Sequence, residues 1–202
     1  MITIIDYGLG NIMAFSNIFR KLNIPLQIAS EEKDLISAEK IILPGVGSFD
    51  WAMKKLENSG MIDQLNNLVI NENIPVIGIC VGMQIMANKS EEGDKKGLGW
   101  MNAEVKKFEN AKNMPLPHMG WNDVRPIKEN PLFFNLEENS RFYFLHSYYF
   151  SHNHEKQILS QTNYNGCFTS AVSKENIFGV QFHPEKSHHW GVQLLKNFAE
   201  LC

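Results

Sequence analysis

The chain has 202 residues, 44% of them hydrophobic and 20% charged, with a formal net charge of −3. This is the composition of one soluble globular domain that can bury about 70% of its unfolded surface; it excludes the basic footprint of a nucleic-acid binder, and no apolar run reaches membrane-spanning length. The opening Met1-Ile2-Thr3-Ile4-Ile5-Asp6 is too short for a signal peptide and lacks its basic start, and Cys80, Cys167 and Cys202 form neither a disulfide framework nor a zinc pattern, so a reducing, cytoplasmic setting is expected.

Ile2–Asp6 reads as a buried first strand. Tyr7-Gly8-Leu9-Gly10 turns the chain toward Asn11, a good helix N-cap, and Ile12, Phe15, Ile18, Phe19 and Leu22 then fall on one helical face. Leu26–Ala29 and Lys40–Leu43 predict two more strands, the latter stopping at Pro44-Gly45-Val46-Gly47. Helical material runs from Phe49 to about Asn71 with a break at Gly60, and Ile74–Ile79 is the next strand. This alternation predicts a doubly wound, mostly parallel α/β sheet. After Glu91 the character changes. Short β-type runs at Ala103–Phe108, Phe142–Phe150, Gln157–Gln161, Phe168–Ser173 and Ile177–Phe182 predict an antiparallel elaboration in the C-terminal half. An amphipathic helix with Trp190, Leu194, Leu195 and Phe198 inward closes it. The polar cluster Glu109-Asn110-Ala111-Lys112-Asn113 is expected to be an exposed loop. With no repeat, linker or low-complexity stretch, residues 1–202 read as a single domain.

The segment Ile74-Pro75-Val76-Ile77-Gly78-Ile79-Cys80-Val81-Gly82-Met83-Gln84 is the most informative one. An apolar strand passes through Gly-x-Cys-x-Gly into Met83–Ala87, which is good helix material. A cysteine on a tight strand-to-helix turn is a nucleophile elbow with sulfur in place of oxygen. The helix start favours the thiolate, and its first amide can face a developing oxyanion. A buried core cysteine between two packing glycines is the competing reading of so short a motif.

A thiol nucleophile needs a base, and the base needs an orienting group. Of seven histidines, His183 stands out in Gly179-Val180-Gln181-Phe182-His183-Pro184-Glu185. A strand delivers it at the end where open α/β sheets place active sites. Glu185 is close enough to turn back and fix the imidazole tautomer.

With these residues the chain resembles the class I (triad) glutamine amidotransferases, and the likeness runs from the first strand to the last helix. Asp6-Tyr7-Gly8-x-Gly10-Asn11, Pro44-Gly45-Val46-Gly47, Pro117-His118-Met119-Gly120-Trp121-Asn122, His146-Ser147-Tyr148 and Gly179–Ser187 are similar to the glutaminase branch of imidazole glycerol phosphate synthases. The resemblance implies that Cys80 attacks the carboxamide of L-glutamine to form a thioester and ammonia, that His183 shuttles protons and that Glu185 holds His183. It implies oxyanion donors at Val81 and in the loop of Val46 and Gly47, whose glycines permit a peptide flip. Glutamine contacts are implied at Gln84 and, through backbone groups, Ser147 and Tyr148; for the neighbouring Phe150, strand packing is the plainer reading.

Asn11, His118, Trp121 and Lys186 match family positions at or near a partner interface, although Asn11 is also a cap, Trp121 could be core and Lys186 a solvated charge. The implied partner is a separate (β/α)₈-barrel synthase forming a heterodimer with channelled ammonia; no synthase domain is attached here, so the acceptor is expected on another chain. No cofactor is implied. The pair His188-His189 invites a metal reading, but adjacent residues splay apart and no third ligand is evident, so no metal is expected. The bulk of His188-His189-Trp190 departs from the histidine-pathway branch and keeps open a paralogue that supplies ammonia for sugar amidation in surface-polysaccharide synthesis. A cysteine hydrolase of peptidase type is opposed by the His-Pro-Glu placement, and a degenerate docking subunit by the intact triad.

Overall fold

The computed structural model describes residues 1–109, 115–138, 140–152 and 154–202. Of the polar cluster, Glu109 is exposed, while Asn110, Ala111, Lys112 and Asn113 lie outside the described residues.

The N-terminal half is β1 (Ile2–Ile5), α1 (Ile12–Lys21), β2 (Leu26–Ala29), β3 (Lys40–Gly45), α2 (Phe49–Ser59), α3 (Ile62–Asn66), β4 (Val76–Cys80) and the four-residue α4 (Val81–Gln84). Asn11 caps α1, its side chain accepting from the Ala14 amide at 3.2 Å. Phe15 and Phe19 are buried on the helix's inner face. Gly60 ends α2 in the left-handed conformation, and the helical material continues through α3 and a π turn over Asn67–Asn71. The C-terminal half is β5 (Lys89–Ser90), β6 (Ala103–Lys107), β7 (His118–Asp123), β8 (Arg125–Pro126), β9 (Arg141–His146), β10 (Tyr148–His152), β11 (Ile158–Asn163), β12 (Cys167–Lys174), β13 (Ile177–Val180) and α5 (His188–Leu201).

Strands β2, β1, β3, β4 and β13 lie side by side and parallel. β12, β10 and β6 extend this sheet in antiparallel fashion, with β5 beyond them and β11 and β8 on a side branch. β7 and β9 form a separate antiparallel pair. Every residue of β1, β4 and β13 is buried, as expected of parallel strands covered on both faces. The core joins Ile4, Ile42, Ile77, Val180, Phe182 and Leu195. Within α5, Leu194, Leu195 and Phe198 are buried, and Trp190 packs half-buried against the core.

Three expectations need correcting. β3 does not stop at Leu43; it runs through Pro44 and Gly45, because those residues stay in register with Ile79 and Cys80 of β4. The run Phe142–Phe150 is two strands, divided at Ser147, where the chain leaves the β7–β9 pair for the main sheet. The helix after Cys80 is one turn, not an extended helix to Ala87. The carbonyls of Ile85, Met86 and Ala87 accept instead from Leu98, Met101 and Gly99, so the segment after Gly97 takes over the groups that would have carried the helix onward.

Candidate active site

Cys80 is the last residue of a central strand flanked by β3 and β13. Its backbone stands at φ +55°, ψ −112°, a conformation costing of order 1–3 kcal/mol that persists only where the surroundings impose it. The surroundings do so here. A Cβ on Gly82 would fall 1.9 Å from the Leu43 carbonyl oxygen, and one on Gly78 would fall 2.7 Å from the Gly82 carbonyl oxygen. Strand and turn are pressed together too closely for side chains, which is why glycine brackets the cysteine.

The flanking strands supply the other groups. β3 ends beside Cys80, and Gly47, in the loop beyond it, has φ +96°. The Tyr7 hydroxyl donates to the Pro44 carbonyl at 2.7 Å; burial, then the nearby Cys80, raises the Tyr7 phenol above its ordinary range. From β13 the chain continues through Gln181 and Phe182 to His183, whose amide donates to the Tyr143 carbonyl at 2.8 Å. The Ser187 hydroxyl donates to the His183 carbonyl at 2.6 Å and accepts from the Tyr143 amide at 3.0 Å. His183 is therefore held from both sides. Pro184 opens a single 3₁₀ turn that brings Glu185 Oε1 to 2.9 Å from His183 Nδ1, with the two side chains only 3% and 2% exposed.

With Nδ1 given to the carboxylate, the other ring nitrogen is left for the cleft, which His183 and Cys80 line together. Burial alone would lower the His183 imidazole, but the negative charges of Cys80 and Glu185 outweigh it and raise the ring to about 10. The ring is thus held toward its protonated form beside the Glu185 carboxylate, with Cys80 on the same cleft wall.

A cleft of about 320 Å³ gathers Val46, Gly47, Cys80, Val81, Gln84, Ser147, Tyr148 and His183, so these sequence-selected residues meet in one place, with Glu185 behind His183. The Gln84 Nε2 donates to the Tyr148 carbonyl and to Gln181 Oε1, both at 3.1 Å, which leaves its oxygen for a ligand. A larger groove of about 1000 Å³, lined by Ile127, Phe134 and Leu201 among others, shares none of these residues.

Four further residues belong to the site and do not stand out in the sequence. Glu92 lines the cleft; burial raises its carboxyl, partly offset by the 2.7 Å bond it accepts from the Phe49 amide. Gln181 directs its Nε2 at the Cys80 sulfur, 3.8 Å away. His146 lines the cleft, and the Leu145 carbonyl lies 4.0 Å from the sulfur. Two of them, Gln181 and His146, sit inside the motifs that carry the family resemblance, so their neighbours held the only signal. Glu92 lies in an acidic stretch that reads as surface.

The residues matched to an interface divide. Asn11 and Lys186 are exposed, and Trp121 is 36% exposed. Lys186 Nζ sits 5.6 Å from the Tyr143 ring centroid, and Trp121 stacks on His188 at 4.9 Å and 7°. His118 departs from the expectation: it is 3% exposed, sandwiched between Phe144 and Tyr164 at ring distances of 4.7 and 3.9 Å. Its side chain offers a partner no surface, because the aromatic sandwich encloses it.

The model of the class-I glutamine amidotransferase family matches residues 3–201. The chain is 54% identical over 204 residues to the imidazole glycerol phosphate synthase subunit HisH of Leptospira borgpetersenii, covering 100% of both chains. It is 51% identical over 204 residues, again with 100% of both covered, to the subunit of the same name from Bdellovibrio bacteriovorus. Among solved structures, that of PurLQS from Thermotoga maritima is similar with a TM-score of 0.74 at 15% identity, over 98% of this chain and 96% of that one; this likeness speaks to the fold alone.

Proposed function

The chain belongs to the class-I glutamine amidotransferase family and, within it, to the glutaminase subunits of imidazole glycerol phosphate synthase; on that premise we infer that Cys80, His183 and Glu185 are the groups that release ammonia from glutamine. The observation that carries this reading is the buried Cys80–His183–Glu185 line at the wall of the cleft.

Glutamine enters with its carboxamide carbon facing the sulfur. The Cys80 thiolate attacks that carbon, and the carbonyl oxygen becomes an oxyanion. The Val81 amide and the Val46–Gly47 loop are the donors placed for it, each donor being worth about 10²–10³ in rate. His183 gives its proton to the departing nitrogen, ammonia leaves, and a thioester remains on Cys80. The now neutral His183 takes a proton from water, which attacks the thioester; glutamate and the thiolate–imidazolium pair result. Glu185 keeps the ring in register through both half-reactions. At the other end of the substrate, the Glu92 carboxylate suits the α-ammonium, and the Ser147–Tyr148 backbone and the Gln84 oxygen suit the remaining polar groups.

The ammonia is used by a separate synthase subunit in histidine biosynthesis. That partner is read as a (β/α)₈ barrel that docks as a heterodimer over Asn11, Trp121 and Lys186 and takes ammonia without release to bulk water. The setting is read as cytoplasmic; no helix among the described residues is long and apolar enough to cross a membrane. The deciding experiment incubates the chain with glutamine and its synthase partner and traps the enzyme in acid. A glutamyl adduct on Cys80, absent in His183→Ala, is the expected result; glutamate formation without any adduct at Cys80 refutes the reading.

A further inference from the structure

The hydrogen bonds around Tyr148 fix one proton directly, and the rest follow when both rings are neutral. The Tyr148 carbonyl can only accept, so His146 Nδ1, 2.7 Å away, carries a proton and donates it. In a neutral ring His146 Nε2 is then a lone pair, and His118 Nδ1, 3.1 Å away, must donate to it. His118 Nε2 is left to accept from Asn122 Nδ2 at 3.2 Å. On the other side, the same Tyr148 carbonyl accepts from Gln84 Nε2, which also donates to Gln181 Oε1, and Gln181 Nε2 donates toward the Cys80 sulfur. Each member has the donor or acceptor its neighbour needs.

We propose that His118, His146 and Gln181 are positioning residues in one hydrogen-bond chain that ties β7, the strand bearing Trp121, to the Cys80 sulfur through the Tyr148 carbonyl. The proposal rests on the cleft being the glutamine site. The histidine branch sets the Ser147–Tyr148 wall and therefore glutamine binding. The glutamine branch presents an N–H to the sulfur and therefore supports the thiolate. A displacement of β7 moves His118 between its two stacking rings and is felt at the wall of the cleft, although His118 touches neither surface nor substrate.

The chain works only while both histidines are neutral. The titratable groups facing them are each other, His183 from the turn after β13, and the Tyr164 phenol from the turn between β11 and β12; Phe108, Phe144 and Phe168 fill the remaining contacts. Burial lowers His118 to about 4; burial, opposed by the bond to the Tyr148 carbonyl and aided by His118 and His183, lowers His146 to about 3.

Two measurements test this. Two-bond ¹⁵N–¹H correlation spectra of the full-length, ¹⁵N-histidine-labelled chain at pH 6 should show His118 and His146 as neutral Nδ1–H tautomers. Either ring charged at that pH, or in the Nε2–H form, overturns the proposal whatever the enzyme does. Kinetics are then read in the complex with the synthase partner. His118→Phe keeps the aromatic sandwich and removes the donor, so the KM for glutamine should rise roughly fivefold, the size of one net hydrogen bond, with kcat within about twofold. His118→Asn, which keeps a donor near the Nδ1 position, should recover most of that loss. Gln181→Met should move the pH profile of Cys80 alkylation by iodoacetamide upward while the KM changes little. A folded His118→Phe chain with unchanged KM, or with kcat lost at constant KM, sinks the proposal. If no variant folds, the wild-type spectra alone decide it. If glutamine is not hydrolysed at all, the functional reading fails while the tautomers still judge the chain.

Discussion

The Tyr7 hydroxyl and the Pro44 carbonyl are joined by a buried hydrogen bond of 2.7 Å, linking the end of the first strand to the end of the third. Beside it, a Cβ on Gly45 would lie 2.4 Å from the Gly82 amide nitrogen, whereas one on Gly47 would meet nothing nearer than a Trp51 ring carbon at 3.7 Å. The loop proposed to hold the oxyanion is thus clamped as far as Gly45 and has room beyond it. Freedom for a peptide to turn is confined to Val46–Gly47.

Tyr7→Phe keeps the ring and removes the clamp. One buried hydrogen bond contributes about 1 kcal/mol net, so the melting temperature should fall by about 2–4 °C for a chain of this size. The Pro44 carbonyl is left without its donor, and partner-stimulated glutamine hydrolysis should drop more than the small stability loss explains. Calorimetry and steady-state ammonia release on the same preparation check both. An unchanged melting temperature would show that the bond contributes nothing.

Reagent choice separates Cys80 from the other thiols. Cys80 is 2% exposed, whereas Cys167 is exposed and Cys202 intermediate. Burial raises the Cys202 thiol to about 11, which makes it a poor nucleophile at neutral pH. A bulky thiol reagent with no likeness to glutamine should therefore modify Cys167 first. A chloroketone shaped like glutamine should reverse the order and label Cys80, and pre-incubation with glutamine should protect Cys80 alone. Mass spectrometry of peptides reads the order; a glutamine-shaped reagent that marks Cys167 faster than Cys80 would remove the nucleophile assignment.

How much of this was legible in the sequence depended on whether a feature was local. The β1–β4 frame was readable because buried parallel strands are short apolar runs between turn residues, and β2 was read to the residue. The elbow was readable because close approach demands glycine on both sides of Cys80. What failed was decided by distant partners. The helix after Cys80 is cut to one turn because the amides of Leu98, Gly99 and Met101 capture the carbonyls of Ile85, Ala87 and Met86. β7 escaped notice because its alternation is inverted, with apolar Met119 and Trp121 exposed and His118 buried, and because it includes Gly120 at φ +125°. His118 was placed at or near the interface by the family resemblance alone, which does not carry burial. Its own burial depends on Phe144 and Tyr164, remote in the chain. Glu92 could not be found at all from its surroundings, since only the fold turns that acidic stretch into the cleft.

In the proposed mechanism the triad partners differ in kind. There His183 moves the proton, so His183→Ala should leave almost no turnover. Glu185 orients the ring and stabilises its charge; loss of the orienting carboxylate in a serine triad costs about 10⁴ in kcat. Glu185→Gln should lose activity on that scale or less, retain Cys80 labelling and lower the His183 imidazole. Stability carries the matching signature. The folded imidazole lies at about 10, above its ordinary 6.5, so its contribution is complete below pH 6.5 and is lost as pH rises through about 10. Urea unfolding should show the gap between wild type and Glu185→Gln narrowing from pH 7 to pH 10. A gap that stays constant over that range would mean the pair is not charged as described.

The last expectation concerns coupling to the synthase. With Gly45 clamped and Gly47 at φ +96°, the isolated chain should hydrolyse glutamine slowly, and the partner with its acceptor bound should accelerate it by at least the 10²–10³ that one oxyanion donor is worth. Gly47→Ala is the diagnostic variant. There is space for the methyl, but an L-residue resists that φ, so the substitution acts on the backbone and not on packing. It should change the ratio of partner-stimulated to basal hydrolysis and leave chloroketone labelling of Cys80 intact, while the melting temperature falls by only about 2–4 °C. Lys186→Ala supplies the contrasting case. It removes an exposed ammonium beside the Tyr143 ring, so it should weaken stimulation by the partner and leave the basal rate alone. Steady-state glutaminase assays with and without the synthase and its substrate read both. Full activity of the isolated wild-type chain, or a Gly47→Ala ratio equal to wild type, would place the control outside the Val46–Gly47 peptide.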